Sequence, residues 1–369
     1  MGNTQLPKVY VIVLNYKTWE DTLECLESLY KLDYQNFQIV VVDNASPNDS
    51  MSKIIDWAEG KIAVEVLDDN TLKNLSFPNI PKPLGYILYN QEIAEKGGHG
   101  SDNQKLILIQ SNENKGYSAG NNIGIRYALA KNDFEHVWIL NNDVAVEPKS
   151  LTNLMQKVVN DTDRTGIYGV KLKYYHQPNY LQGIGCHYNH WLGKGFWVGR
   201  NQCDSTLYND EKQLKRFKIN MIIGASILAR RIFLEDVGLL NEEYFLYGEE
   251  LDWSIRAKRK GYALGIALES VVYHKEGATI NSNSKDLSNA TLLSDFYIVT
   301  NRIKLAKKYF PVTLFSVYIT TLILVLKRLT KGKYLHSQMI TKILIGQNLN
   351  SIMMKYNIQG LKRATSIEK

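Results

Sequence analysis

Cysteine is scarce in this sequence, and the few present are uninformative as a set. Cys25, Cys186 and Cys203 are odd in number, scattered, and without metal-ligand spacing. That pattern suits a reduced, cytosolic compartment rather than a disulfide framework. Residues 9–14 form the first apolar run; it is too short for the core of a secretory signal and reads as a strand. No internal repeat and no extended low-complexity segment is present. Neither a Walker A loop nor the dinucleotide glycine fingerprint occurs, which counts against a dehydrogenase. No RNA- or DNA-binding motif accompanies the basic residues, so no nucleic-acid partner is expected.

What is there points to a sizeable globular chain. At 369 residues, with 44% hydrophobic and 22% charged residues, there is room for one large α/β domain and a smaller appendage. Apolar β-branched runs at 9–14, 38–42, 63–67, 106–110 and 137–140 alternate with helical stretches at 18–32, 50–60 and 120–132. Such alternation predicts a mostly parallel, doubly wound central sheet with ligands at the carboxyl ends of its strands. Residues 68–104 are polar and bear prolines between Pro78 and Pro83, and they read as an insertion, helical around 90–96. Residues 182–203 read as an aromatic, glycine-rich loop region.

The net charge is +7, with basic residues prominent near the C-terminus at Lys304, Lys307, Lys308, Lys327, Arg328, Lys331, Lys333, Lys342, Lys355, Lys362 and Arg363. The final segment, from about 289, reads as helical. Within it, residues 312–326 are apolar but shorter than the roughly 20 residues that cross a bilayer. An interfacial or re-entrant helix on an anionic membrane surface is expected, with a buried core helix as the alternative.

Several polar clusters fall at strand ends. Asp43-Asn-Ala-Ser46 ends the second strand; it is either an Asx-turn or a carboxylate aimed at a nucleotide. Asn114-Lys-Gly-Tyr-Ser-Ala-Gly-Asn-Asn122 joins a strand to a helix, and Gly116 and Gly120 allow a ligand close to the backbone. Asn141-Asn-Asp143 places a carboxylate where it can hold Mn²⁺ or Mg²⁺, hard cations that bridge phosphates. Glu249, Glu250 and Asp252 open a helix beside Tyr244, Phe245, Tyr247 and Trp253, either as first-turn acids or as a cleft with a general base. His274, after a strand-like run and downstream of these acids, is a structural histidine or a metal ligand.

In order, these segments resemble the family 2 glycosyltransferases, inverting enzymes of the GT-A fold, most nearly the rhamnosyltransferase and galactofuranosyltransferase branches. The likeness covers roughly residues 9–279, through Val13-Leu-Asn-Tyr16, Val41-Val-Asp-Asn-Ala-Ser46, the Asn114–Asn122 loop, Leu140-Asn-Asn-Asp143, Gly224-Ala-Ser226, the Tyr244–Trp253 segment and Tyr273-His274. It implies residues 1–285 as a GT-A domain and 286–369 as a helical, membrane-associating extension. It implies a nucleotide-sugar donor, dTDP-rhamnose or a UDP-sugar, held by Asn15, Asp43, Asn44, Gly116, Asn121 and Asn142. Asp143 and His274 would be metal ligands, Glu250 the base with Glu249 in reserve, and Trp191, Trp197 and Asp252 acceptor contacts. The acceptor would be a saccharide or lipid-linked saccharide at the inner face of the cell membrane, with a homo-oligomer left open. Two departures from the family pattern stand out: Asn141 where the first acid of the DxD motif is expected, and Glu250 where Asp is common. The first leaves open a catalytically silent nucleotide-sugar-binding or scaffolding module.

Overall fold

A computed structural model describes residues 6–66, 70–100, 103–161, 164–205, 210–275 and 291–358. Leu67, Asp68, residues 277–279, the 285/286 boundary, Asn289, Lys362 and Arg363 lie outside them.

The chain opens with β1 (Val9–Asn15), α1 (Trp19–Tyr30), β2 (Phe37–Asp43) and α2 (Ser50–Ala58). After α3 (Lys73–Ser76) come β3 (Tyr86–Asn90), α4 (Gln91–Glu95), β4 (Leu106–Gln110), α5 (Tyr117–Lys131) and β5 (His136–Asn141). Next are β6 (Val144–Val146), α6 (Ser150–Asn160), β7 (Thr165–Tyr174), β8 (Gln177–Gly183), β9 (Cys186–Asn189) and β10 (Lys194–Trp197). Then follow α7 (Glu211–Leu214), β11 (Ser226–Arg230), α8 (Arg231–Val237), α9 (Glu249–Arg259) and β12 (Ala263–His274). Four helices end the described chain: α10 (Leu292–Tyr309), α11 (Leu314–Thr330), α12 (Tyr334–Leu344) and α13 (Leu349–Lys355).

The main sheet runs β3-β4-β2-β1-β5-β11-β7-β12-β6, with β8 beside β7. Strands β6, β8 and β11 are antiparallel to their neighbours and the rest share one direction. Alternation along each strand sends residues to opposite faces. Val9, Val11 and Val13 join the core under α1, α2 and α6, while Tyr10, Ile12 and Leu14 join the core under α5, α8 and α9. Both faces are covered, which is why these strands read as unbroken apolar runs. At Gly124 a side-chain Cβ would lie 2.8 Å from Ile12 Cγ2, so the absent side chain lets α5 lie close on β1.

The strand expected at 63–67 does not form over its described part. Both backbone groups of Val64 are satisfied by the Asn79 amide, at 2.8 and 2.9 Å, so no strand neighbour is needed. The sheet's edge is instead β3, inside the stretch read as an insertion. That stretch is fastened to the body by Glu27, fully buried on α1, which accepts from Trp57 Nε1 (2.8 Å), Ile80 N–H (2.8 Å) and Lys82 Nζ (2.6 Å). Helix α5 starts at Tyr117, three residues before the expected Gly120. The region 182–203 is largely a β9–β10 hairpin and not a loop.

The C-terminal helices enclose a core of their own, including Phe296, Val299, Val325, Met339 and Ile340. The apolar helix does not stop at Lys327 and Arg328. Residues Pro311–Thr330 make one 20-residue helical stretch, long and apolar enough to cross a membrane. Arg328 continues it because its side chain turns inward to Asp295, at 2.6 and 2.8 Å. Val312 (81%) and Phe315 (79%) are largely exposed, so this is no core helix.

Replacing Glu27 by Ala strands Lys82 and the Trp57 indole N–H in the interior, which costs about 3–5 kcal/mol for a broken buried pair. Urea unfolding of Glu27→Ala is expected to show a correspondingly lower midpoint, with limited proteolysis near residues 77–83. A loss below about 1 kcal/mol, the range of an exposed pair, would show that the network carries little.

Candidate active site

Strand direction brings Asn15, Asp43, Gln110 and Asn141 to one end of the sheet, and β12 adds His274 there. Asp43 is buried, and its carboxylate accepts from Asn15 Nδ2 (2.6 Å), Ser46 Oγ (2.6 Å), Ser46 N–H (3.1 Å) and Gln110 Nε2 (2.9 Å). Asp43 therefore accepts from the backbone three residues on and orders the groups around it. Gln110 was missed in the sequence because nothing marks it out at the end of its strand, and Ser46, though part of the recognised cluster, was given no role.

The glycine loop meets this cluster. Gly116 has φ +94°, and a Cβ there would lie 2.3 Å from the Phe245 carbonyl oxygen, so only glycine lets the two loops touch. Tyr117 N–H donates to that same carbonyl at 2.8 Å. Asn44 Nδ2 holds the Gly116 carbonyl at 3.2 Å, and Asn121 Nδ2 bonds within its own helix. Asn44 Oδ1, Asn121 Oδ1 and Ser118 Oγ remain buried without a partner. Three unmet polar atoms around the first turn of α5 mark a place prepared for polar groups of a ligand.

Asp143 Oδ1 and His274 Nε2 stand 3.0 Å apart. Register produces this contact: β6 pairs Val144 with His274, and Lys275 N–H continues the ladder to the Asp143 carbonyl at 3.0 Å. Gln182 Oε1 lies 2.8 Å from His274 Nδ1 and fixes the ring with its Nε2 edge towards Asp143. Asn141 Nδ2 is 3.3 Å from the same Nε2, while Asn141 Oδ1 is buried and unpartnered. Burial pushes the Asp143 carboxyl up, but His274 and Lys275 outweigh it and hold it below its ordinary value.

These residues fit a divalent cation. Two ligands at adjacent positions, each about 2.1 Å from a metal, lie about 3.0 Å apart. Asn141 adds an idle oxygen. Among the described residues no third His, Cys, Asp or Glu completes a metal cluster, so most positions of a six-coordinate ion would fall to other oxygens. Asn142 is not free for a donor: its Nδ2 donates to the Thr18 carbonyl, Thr18 Oγ1 and Thr22 Oγ1, at 2.8–3.0 Å, and pins the metal loop to the start of α1.

The second pair of acids opens α9. Glu250 is half-buried, with Oε2 accepting from Gly248 N–H (3.2 Å) and Cδ facing Gly224. Glu249 is buried and its Oε2 lacks a partner. Burial and mutual repulsion raise Glu249 well above its ordinary value, and burial raises Glu250 as well. Glu250 is thus the accessible carboxylate and Glu249 the one that keeps a proton. Tyr117, unremarked in the sequence, lies within reach of the charges of both centres. Burial and then the charges of Glu249, Glu250 and Asp143 drive its phenol pKa up, and its hydroxyl donates to the Gly224 carbonyl at 2.8 Å.

Other expected acceptor contacts separate. Asp252 is fully buried, accepting from Arg256 Nε (2.7 Å), Lys308 Nζ (3.0 Å) and the Tyr309 hydroxyl, so it ties α9 to α10 and does not line the cleft. Trp191 sits at the hairpin tip, 54% exposed and docked on α11 through its carbonyl. Trp197 sits at the hairpin foot opposite Cys186, whose thiol is pushed up to about 12 by burial and by Glu250. Trp197 therefore stays near the acids, whereas Trp191 does not.

The family model described as glycosyl transferase family 2 matches residues 10–73 and 89–237, more than half of the chain. The chain belongs to glycosyl transferase family 2. The low-salt glycan biosynthesis hexosyltransferase Agl10 of Haloferax volcanii is 24% identical over 205 residues, 55% of this chain and 62% of that protein. The chain thus spans less than two thirds of that relative's length. Among solved structures, GalNAc-T7 with UDP, GalNAc and Mn²⁺ overlaps 96% of this chain and 57% of its own at 12% identity, with a TM-score of 0.55. The mannosyltransferase PcManGT from Pyrobaculum calidifontis, in complex with GDP-Man and Mn²⁺, overlaps 97% and 88% at 15% identity, with a TM-score of 0.49. The architecture is the GT-A fold, which the GalNAc-T7 structure shares. The family 2 match leaves only residues 74–88 as a gap, much shorter than the expected insertion, and it ends before Glu249, Glu250 and His274. Those three join the matched region through the fold.

A glutamate whose native pKa is raised binds a proton that the unfolded chain releases. Its penalty on stability is absent below about pH 4.5 and grows as pH rises towards the native value. Glu249→Gln is therefore expected to unfold at a higher temperature than the parent at neutral pH, with the gap closing on acidification. Thermal unfolding across pH, without metal or nucleotide, checks this; a gap that widens as pH falls would contradict it.

Proposed function

We propose that the chain is an inverting, metal-dependent glycosyltransferase that moves a hexose from a nucleoside-diphosphate sugar to a saccharide or lipid-linked saccharide. The observation that carries this reading is a pair of differently tuned acid centres, Asp143 with His274 and Glu249 with Glu250, both close enough to Tyr117 for their charges to raise its phenol pKa. Family 2 membership and the hexosyltransferase relative support the transferase class. For the donor, dTDP-rhamnose leads, with a UDP-hexose next; the unmet polar atoms near Asn44 and Asn121 suit the base and ribose of either.

Each residue then has a task. Asn15, Asp43 and Ser46 hold the end of β2 in the shape that receives the nucleoside, and Gly116 lets the glycine loop close on Phe245 beside the diphosphate. Asp143, His274 and Asn141 would hold Mn²⁺ or Mg²⁺, which when bound supplies positive charge to the departing diphosphate. Glu250 takes the proton from the acceptor hydroxyl, which attacks the anomeric carbon from the face opposite the leaving group and inverts it. Its raised pKa brings it nearer working pH, where a general base is most useful. Lys275, fixed by Asp21 (2.6 Å) and Glu24 (2.7 Å), keeps the end of β12 in place. The apolar, basic C-terminal helices support a peripheral position on the inner face of the cell membrane.

Glu250→Gln is expected to lower donor turnover by about 10²–10⁴-fold, the usual worth of a general base, while nucleotide-sugar binding is kept. Asp143→Ala is expected to lose both the Mn²⁺-dependent part of that binding and turnover. Equal turnover by Glu250→Gln and the parent would remove Glu250 as base and favour a silent nucleotide-sugar-binding module.

A further inference from the structure

Residues 291–358 contain ten lysines and arginines and one acid, Asp295. Asp295 is fully engaged: both its oxygens accept from Arg328, and His336 Nδ1 shares one of them. Arg302 on α10 then feels the charge of Asp295 without pairing with it. Its Nε is buried with no partner, and among the described residues no carboxylate forms an ion pair with its guanidinium. Burial lowers its pKa. A desolvated cation of this kind weakens the fold unless something else brings the negative charge.

Its position is specific. Gly193, left-handed at the tip of the β9–β10 hairpin, lies against the Arg302 side chain: a Cβ there would be 3.0 Å from Arg302 Cγ and 3.2 Å from Val317 Cγ2 of α11. On its other side, Asn301 Nδ2 donates to the carbonyls of Leu246 (2.9 Å) and Tyr247 (2.7 Å), the loop that leads into Gly248 and the acid pair. Arg302 therefore stands between the loop carrying Glu250 and the apolar helix α11. A second unmet atom accompanies it: His190, stacked on Phe310 at 5.0 Å, leaves Nδ1 buried and unpartnered. Outward from this point, Phe315, Ile319 and Ile323 are exposed along α11, and the hairpin's Leu192 carbonyl accepts from Thr320 Oγ1 at 3.0 Å.

Guanidinium groups pair with phosphate through two parallel N–H donors, and an apolar surface takes up a hydrocarbon chain. One molecule with both parts satisfies both features. We propose that Arg302 binds the phosphate of a lipid-phosphate acceptor whose hydrocarbon chain lies on the exposed face of α11, so that the far end of the acceptor reaches Glu250. The proposal rests on the reading of Glu250 as the acceptor-side base, while the phosphate site itself is testable without turnover.

Calorimetric titration of the full chain with farnesyl diphosphate, farnesol and inorganic pyrophosphate separates the two parts. Farnesyl diphosphate is expected to bind at least about tenfold more tightly than either fragment. Arg302→Gln is expected to lose that advantage, and Arg302→Lys to keep part of it. Ligand-free Arg302→Gln should melt at or above the parent temperature, because an unpaired charge has been removed. Binding to phosphatidylglycerol-containing vesicles, relative to phosphatidylcholine alone, should survive the substitution, since other lysines remain. Three results would overturn the proposal: unchanged farnesyl diphosphate binding in Arg302→Gln, a fall in its ligand-free melting temperature, or loss of vesicle binding alone, which would make Arg302 a bulk-headgroup contact. Absence of nucleotide-sugar turnover by the parent would instead defeat the transferase reading and leave the phosphate site standing.

Discussion

The register between β6 and the end of β12 is the constraint on which the site depends. Pairing Val144 with His274 puts Asp143 beside the imidazole, and the same histidine is paired on its other edge with Tyr174 of β7. Because side chains alternate along a strand, a slip of one residue would turn His274 to the opposite face. Two further contacts secure the arrangement. Asn142 holds the metal loop to Thr18 and Thr22, and Gln182 orients the imidazole from β8.

Burial alone does not decide what the acids do. Asp143 and Glu249 are both nearly inaccessible, yet the pKa of one is held below its ordinary value and that of the other is raised well above it. The difference is the neighbours: an imidazole and Lys275 beside Asp143, a second carboxylate beside Glu249. An ionised oxygen suits a cation, and an acid pair with a raised pKa suits proton removal near neutrality. Arg302 extends the pattern to a cation that no acid among the described residues pairs with directly, in a region otherwise stabilised by its own core and by the Arg328–Asp295 pair.

Much of the sheet was legible because strands covered on both faces must be apolar throughout, as at residues 9–14 and 38–42. The chemistry at strand ends was legible for the same reason, since Asp43 and Asp143 interrupt such runs. Residues 63–66 misled because an apolar pattern there is satisfied by Asn79, a side-chain partner that no local pattern announces. The edge strand β3 was hidden in a polar, proline-bearing stretch. Trp191 was read as an acceptor contact from its aromatic surroundings and Asp252 from its place beside Glu249 and Glu250, whereas the hairpin carries Trp191 to α11 and helix geometry points Asp252 at α10. Tyr117 lay within a recognised loop, but its place between two acid centres exists only in three dimensions.

On the proposed function the metal site is shared: the chain would supply Asp143, His274 and an idle Asn141 oxygen, and the donor diphosphate would supply the rest. Binding of the two partners must then be mutually strengthening. Calorimetric titration of Mn²⁺ into the full chain, with and without saturating UDP or dTDP, measures this coupling. The account predicts weak Mn²⁺ binding to the protein alone and at least about tenfold tighter binding with the nucleotide present. Tight Mn²⁺ binding without nucleotide, abolished by Asp143→Ala, would contradict it.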